Sequence, residues 1–299
     1  MEWADFASLT TADGLSLNAG ALSTLILRNE SSVVPYSNKL ISTGYNGYIY
    51  VHAALIDAYK TEWSYHAAKF RAIEDYPEVW LKNSWEMVNL RIQQGDYASY
   101  YAVGDLIPLD MGSEGQINMQ IAGFDVDELA DGGKAHISFI SKELLATSKR
   151  FNPTLAASAD GTYQEGTGAI GGWEKSELRT YLSGTIMPMI PSEVRSMIKT
   201  VVKSQPYYTT AGVEDTQSTD DGVWVPSYDE VVGSSSLYYP LFLNANAYRK
   251  KYKVGSSSAS NWWLRSAYSR VSFRYVMSSG NYSNDDASYL DGIALGFCV

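Results

Sequence analysis

Apolar and polar residues alternate most regularly over Gln116–Phe124, where Ile117, Met119 and Ile121 fall on every second position. That is the period of a strand with one buried face. Residues 135–140 read as a second strand. Trp262–Ala267 and residues 292–299 are apolar runs of the length and composition of buried strands. Helical spacing appears elsewhere. Leu81, Trp85, Val88 and Ile92 share one face of a helix over residues 79–94, with Pro77 in its first turn and Gly95 as its C-cap. Leu55, Tyr59, Trp63, His66 and Phe70 give a similar stripe across 53–73. Residues 142–148 read as a short helix, and 191–203 as a helix turning into a strand. Trp173, Leu178 and Leu182, with Ser176-x-x-Arg179, suit a helix that docks by one side. Asn46-Gly47 marks a turn, and 234–260 is rich in loops. Short strands, few helices and long connections together predict an α+β protein.

The chain has 299 residues, enough for one large or two modest domains. Residues 1–77 read as a small module without a recognisable motif, and 78–299 as the main domain. A hydrophobic share of 45% and a charged share of 19% indicate a packed globular protein. The net charge of −10 argues against a nucleic-acid partner, which would want a basic face. Residues 1–20 lack a basic start and apolar core, so no secretory leader is expected. No run approaches ~20 apolar residues, so membrane insertion is not expected.

Candidate chemistry is sparse. The single cysteine, Cys298, excludes an intrachain disulfide and lies in an apolar run, where burial is expected. Gly166, Gly168 and Gly171 match a dinucleotide fingerprint by letter, but the residues before them form a polar loop instead of a strand. Two acidic groups, Asp125/Asp127/Glu128/Asp131 and Glu214/Asp215/Asp220/Asp221, lack calcium-loop spacing and read as solvated loops. His52, His66 and His136 form no metal pair. No cofactor, no metal and no enzymatic activity are expected.

The C-terminal 262–299 stretch concentrates the informative residues. Between its apolar ends lie Tyr268, Ser269, Arg270, Ser272, Arg274, Tyr275, Asn281, Tyr282, Ser283, Asn284, Asp285, Asp286, Ser288, Tyr289 and Asp291. Tyr supplies rigid contact area, and small polar residues supply adaptable hydrogen bonds. An Asn codon randomised at its adenines cannot encode Lys, Glu, Gln, Met or Trp. From residue 267 to 291 only Met277 belongs to that set.

Trp262-Trp263-Leu264-Arg265-Ser266-Ala267, the Tyr/Ser/Asn/Asp-rich middle and Gly292-Ile293-Ala294-Leu295-Gly296-Phe297-Cys298 resemble the variable region of diversity-generating retroelement target proteins. Tyr100, Tyr101, Val103, Gly104 and Asp105 after a Trp-bearing helix resemble the start of a domain of unknown function that carries such regions. The resemblance runs from about Trp85 to Val299. It implies a C-type lectin fold and a diversified ligand-binding face made by the fifteen residues above. Trp173, Arg179, Trp262, Trp263, Arg265 and Phe297 would be its scaffold. One of the two tryptophans is expected in the core and the other partly so, with Arg265 either paired to a buried carboxylate such as Glu177 or donating to backbone carbonyls. Formylglycine-generating enzymes share that fold, but they need reactive cysteines that this chain lacks. The resemblance implies a phage receptor-binding protein displayed on the virion, whose partner is a host cell-surface protein or glycan. A bacterial surface adhesin and a fixed-specificity lectin are the alternatives. Residues 1–80 are the candidate oligomerisation segment.

Overall fold

A computed structural model describes residues 3–6, 9–11, 22–38, 40–75, 83–153, 162–233, 238–243 and 246–299. Pro77, Val79 and Leu81 of the expected helix lie outside the described residues. The chain divides into two compact units, 1–90 and 91–299, with the division inside the helix Trp85–Gln94. Gly95 ends that helix in the left-handed region at φ 72°, as a glycine C-cap does.

In the first unit, strands β1 (Trp3–Phe6), β2 (Thr24–Leu27), β3 (Tyr48–Val51) and β4 (Phe70–Ala72) form one sheet in sequence order. Every pairing is parallel. The apolar stripe across 53–73 reaches the core, but through several backbone forms. A 3-10 turn Ala53–Leu55 leads into the α-helix Ile56–Glu62, then a 3-10 run Ser64–Lys69 and strand β4. The helix breaks at Trp63, whose φ and ψ are −106° and 52°. Its indole Nε1 donates to the Val34 carbonyl at 2.7 Å, and Val34 N donates to Tyr59 Oη at 3.2 Å. Two aromatic side chains thus satisfy both backbone groups of one buried residue, and holding that geometry outweighs another helical turn.

The second unit carries the small antiparallel sheets. Strands β5 (Leu106–Asp110), β6 (Gln116–Phe124) and β7 (Ile137–Ser141) are followed by a hairpin of β8 (Val201–Tyr208) and β9 (Glu214–Asp221). Then come β10 (Lys251–Tyr252), β11 (Ala259–Ser260), β12 (Trp262–Ala267), β13 (Ser272–Val276), β14 (Tyr282–Asp286) and β15 (Gly296–Cys298). The sheets run β15-β7-β6-β5, β12-β13-β14, β8-β9 and β10-β11. With short helices between them, this is an α+β architecture. Ile117, Met119 and Ile121 are all buried, as their alternation requires.

The C-terminal strand is held on both sides. It pairs with β7, and Gly296 exchanges backbone hydrogen bonds with Trp224 at 2.8 and 3.0 Å. A Cβ at Gly296 would sit 2.7 Å from Trp224 Nε1, so only glycine fits.

The helix Glu177–Tyr181 forms as expected, with Ser176 Oγ accepting from Arg179 N at 3.1 Å. Residues 191–203 give the helix Ser192–Arg195 and then β8. The helix expected over 142–148 is absent. Leu144 N, Leu145 N and Lys149 N instead donate to Tyr252, Ile293 and Asp291 carbonyls at 2.8–3.1 Å. Strand-like pairing to two distant segments, one at Tyr252 and one at residues 291–293, holds this backbone in place of a helix.

Candidate ligand-binding face and its buried frame

All six residues of β12 are buried. Trp262 and Trp263 are both fully enclosed, which corrects the expectation that one ring is partly exposed. The cause is polar as well as apolar. Trp262 Nε1 donates to the Arg249 carbonyl at 2.9 Å, and Trp263 Nε1 to the Lys149 carbonyl at 2.8 Å. Each indole therefore enters the core with its N–H satisfied.

Arg265 does not pair with Glu177, which is exposed. It forks onto Glu230 through two bonds of 2.6 Å, and donates to Gln205 Oε1 at 2.8 Å and the Val225 carbonyl at 3.0 Å. Glu230 is fixed in turn by a capping box, accepting from Ser227 N at 2.8 Å while its own N donates to Ser227 Oγ at 3.2 Å. Lys203 Nζ reaches Glu230 Oε1 at 3.2 Å and Asp127 Oδ1 at 2.5 Å. Asp127 Oδ2 accepts from Ser138 Oγ at 2.6 Å and Tyr239 Oη at 2.8 Å, with Cys298 Sγ at 3.1 Å. Two acids and two bases thus balance inside the unit, where an unpaired charge would be very costly.

Burial pushes the Glu230 carboxyl up, but Arg265 and Lys203 outweigh it and hold it below its usual range. Burial likewise opposes Lys203 at Asp127, and the ammonium wins, holding that carboxyl at about 2. The Cys298 thiol is raised by burial and by the Asp127 charge. Asp127 is therefore no solvated loop residue. Nor is Asp221, which accepts from Trp173 Nε1 at 2.9 Å, Arg179 Nε at 2.7 Å and Thr219 Oγ1 at 2.6 Å. Trp173 and Arg179 share that one carboxylate, and Phe297 packs beside Phe139 with ring centroids 5.7 Å apart.

Strands β13 and β14 carry eight of the fifteen expected ligand-binding residues. Their register sets Arg274 opposite Asn284, and Tyr275 opposite Ser283. Because side chains alternate across a strand, the residues divide between two faces and do not share one. On one face lie Arg274, Tyr282, Asn284 and Asp286. The Arg274 guanidinium sits 4.1 Å from the Tyr268 ring centre and 5.0 Å from that of Tyr228, and the Tyr228 and Tyr282 rings meet edge-on at 5.1 Å. Nearby, Arg270 lies over Tyr163 at 4.9 Å, and Tyr208 Oη donates to the Tyr268 carbonyl at 3.1 Å.

On the other face, Tyr275, Ser283 and Asp285 point the way of Phe273, which stacks on Phe151 with ring centroids 3.5 Å apart. Burial and Asp285 raise the Tyr275 hydroxyl. Asn281 and Tyr289 are exposed in the turns flanking β14, and Ser269 and Ser288 are half-buried. Ser272 and Asp291, expected on the exposed face, are buried at 4% and 6% exposure. The Ser272 carbonyl closes the turn from Tyr268 at 2.9 Å, and Asp291 is bridged to Lys149 through backbone bonds of 3.0 and 3.2 Å.

The sequence reading missed Tyr163, Tyr208 and Tyr228, which come to the Arg/Tyr face from three separate segments. It also missed Glu230 as the partner of Arg265, although Ser227-x-x-Glu230 is a legible capping-box signature. Among the described residues no group of acids, histidines or cysteines has the arrangement of a metal site, and no helix is long and apolar enough to cross a membrane.

These features define a class: an α+β scaffold in which a buried ionic frame supports an edge hairpin that carries tyrosine and arginine. The chain belongs to the family described as domain of unknown function (DUF6273), whose sequence profile matches residues 139–299. No curated protein and no solved structure matches it.

Proposed function

We propose that this protein binds a ligand through the Arg/Tyr face centred on Tyr268, Arg274 and Tyr282, and leaves that ligand chemically unchanged. One observation carries the reading. Exposed Tyr268 and Tyr282 flank a half-buried Arg274, residue types enriched in binding hot spots, next to a strand of six consecutive buried residues. Such a frame keeps its backbone whatever the outward side chains are, so the face can vary without unfolding the protein.

The reading extends to a diversity-generating retroelement variable protein on a C-type lectin fold. The Trp262–Ala267 root, the Tyr/Ser/Asn/Asp-rich segment after it and the C-terminal strand paired into the main sheet support that identification. A phage receptor-binding role, with a host surface protein or glycan as ligand, follows from the same resemblance.

The test is to compare host-cell binding by the whole protein with that of a Tyr268→Ala/Arg274→Ala/Tyr282→Ala variant. At least tenfold weaker binding at unchanged stability is expected, and equal binding refutes the proposal. Diversification has its own test in the neighbouring DNA. A near-copy of the codons for 262–299 that differs at adenines, beside a reverse transcriptase gene, supports it, and the lack of both refutes it.

A further inference from the structure

The buried ionic cluster holds more than a frame needs. Lys203 Nζ lies 2.5 Å from Asp127 Oδ1 and 3.2 Å from Glu230 Oε1. The three side chains are 1%, 8% and 4% exposed. The Trp224 ring faces the ammonium at 3.8 Å, and Tyr239 covers another side. An amine, a carboxyl and a second carboxylate are therefore sealed together, away from water and at contact distance.

We propose that Lys203 and Asp127 condense into an intramolecular isopeptide bond, with Glu230 carrying the proton. The inference is independent of what the Arg/Tyr face binds.

Each group has a position that suits its step. The Lys203 ammonium passes one proton to Asp127 Oδ1 along their contact, leaving a neutral amine and a carboxylic acid. That transfer runs against the hold the ammonium has on the Asp127 carboxyl and forms part of the barrier to the step. The Nζ lone pair then attacks Asp127 Cγ. Negative charge develops on Oδ2, which already accepts from Ser138 Oγ at 2.6 Å and Tyr239 Oη at 2.8 Å, so these two donors stabilise the tetrahedral intermediate. Glu230 Oε1 takes the second proton from Nζ and returns it to Oδ1, which leaves as water. The balance is one ammonium and one carboxylate giving one secondary amide and one water. No oxidant, metal or cofactor takes part.

Arg265 holds Glu230 by two bonds of 2.6 Å, keeping its carboxylate ionised and Oε1 turned to the amine. The product replaces one of the two buried ion pairs with a neutral amide, removing a desolvation cost. The enclosing rings then shield the amide from hydrolysis. The bond would tie β8 to the segment after β6 across 76 positions of chain, a covalent brace within this unit.

The experiment is intact-mass and peptide-mapping mass spectrometry on the purified full-length protein. The expected result is a mass lower than that of the sequence by one water, with a branched peptide joining Lys203 to Asp127. Two controls, Lys203→Met and Asp127→Ala, should carry the full sequence mass. Glu230→Gln should form the bond about 10²–10⁴-fold more slowly, the usual contribution of a positioned proton carrier. A folded wild-type protein of full sequence mass overturns the proposal, whatever the variants do. So does a water loss mapped elsewhere, including a branch from Asp127 to Cys298, whose Sγ lies 3.1 Å from Oδ2. Glu230→Gln forming the bond at the wild-type rate overturns the role given to Glu230.

Discussion

Arg265→Ala is the sharpest test of the buried frame. The guanidinium is 1% exposed and its partner Glu230 is 4% exposed. Four hydrogen bonds end on it, two to Glu230, one to Gln205 and one to the Val225 carbonyl. Alanine leaves Glu230 with Lys203 as its single cation and strands the Gln205 and Val225 oxygens in the interior. Removing one member of a buried ion pair costs about 3–5 kcal/mol. A buried acceptor left unpaired adds about 1–3 kcal/mol unless water enters, so the lower figure is a floor. For a unit of this size that corresponds to a Tm lower by roughly 6–20 °C. Calorimetry or urea denaturation followed by tryptophan fluorescence reads it directly, because Trp224, Trp262 and Trp263 lie in the same unit. Arg265→Lys should recover only part of the loss, since an ammonium cannot fork onto a carboxylate. A cost for Arg265→Ala below about 1 kcal/mol, the value of an exposed pair, would refute the picture of a frame fixed by this side chain.

Two further outcomes follow. Phe273→Ala and Tyr282→Ala sit on paired strands yet should differ widely. The first removes a ring stacked at 3.5 Å on Phe151 and costs about 3–5 kcal/mol. The second trims an exposed ring and stays within about 0.5 kcal/mol, and similar urea midpoints for the two would contradict the alternation of faces. Asp291 tests the electrostatics, because burial and the nearby Asp285 raise its carboxyl to about 7. A carboxyl raised in the folded state contributes stability that is full below its unfolded value, near 4, and lost as the pH rises through about 7. Asp291→Asn should therefore gain stability progressively between those limits and level off above pH 7, by an amount on the order of 2–4 kcal/mol. A gain that is the same at pH 4 and pH 8 would show that Asp291 is not held this way.

Much of the local structure was legible because its causes are local. The Ile117/Met119/Ile121 alternation can bury one face only as a strand. Ser176 and Gly95 terminate helices through bonds to near neighbours, and the apolar run 262–267 had to be internal. The stripe at Tyr59, Trp63, His66 and Phe70 identified core residues correctly while misnaming the backbone, since 3-10 and α turns place such side chains almost alike.

The remaining features depended on contacts across long sequence separations. Residues 142–148 read as a short helix, but the N–H groups of Leu144 and Leu145 pair with carbonyls of Tyr252 and Ile293. Asp127, Lys203, Glu230 and Arg265 are far apart in the chain, and nothing near any of them states which charge it will meet. The same holds for Tyr163, Tyr208 and Tyr228, which join Tyr268 and Tyr282 only after folding. The sequence by itself therefore determined the strands over 116–124, 135–140 and 262–267, which helix ends are capped and which stretch is rich in Tyr, Ser, Asn and Asp. Only the tertiary structure decided which charges neutralise one another, and that β14, paired along one edge, would turn its side chains to two faces. Period and capping act within a few residues, whereas ion pairing and strand register are settled by whichever distant groups arrive together in a space that excludes water.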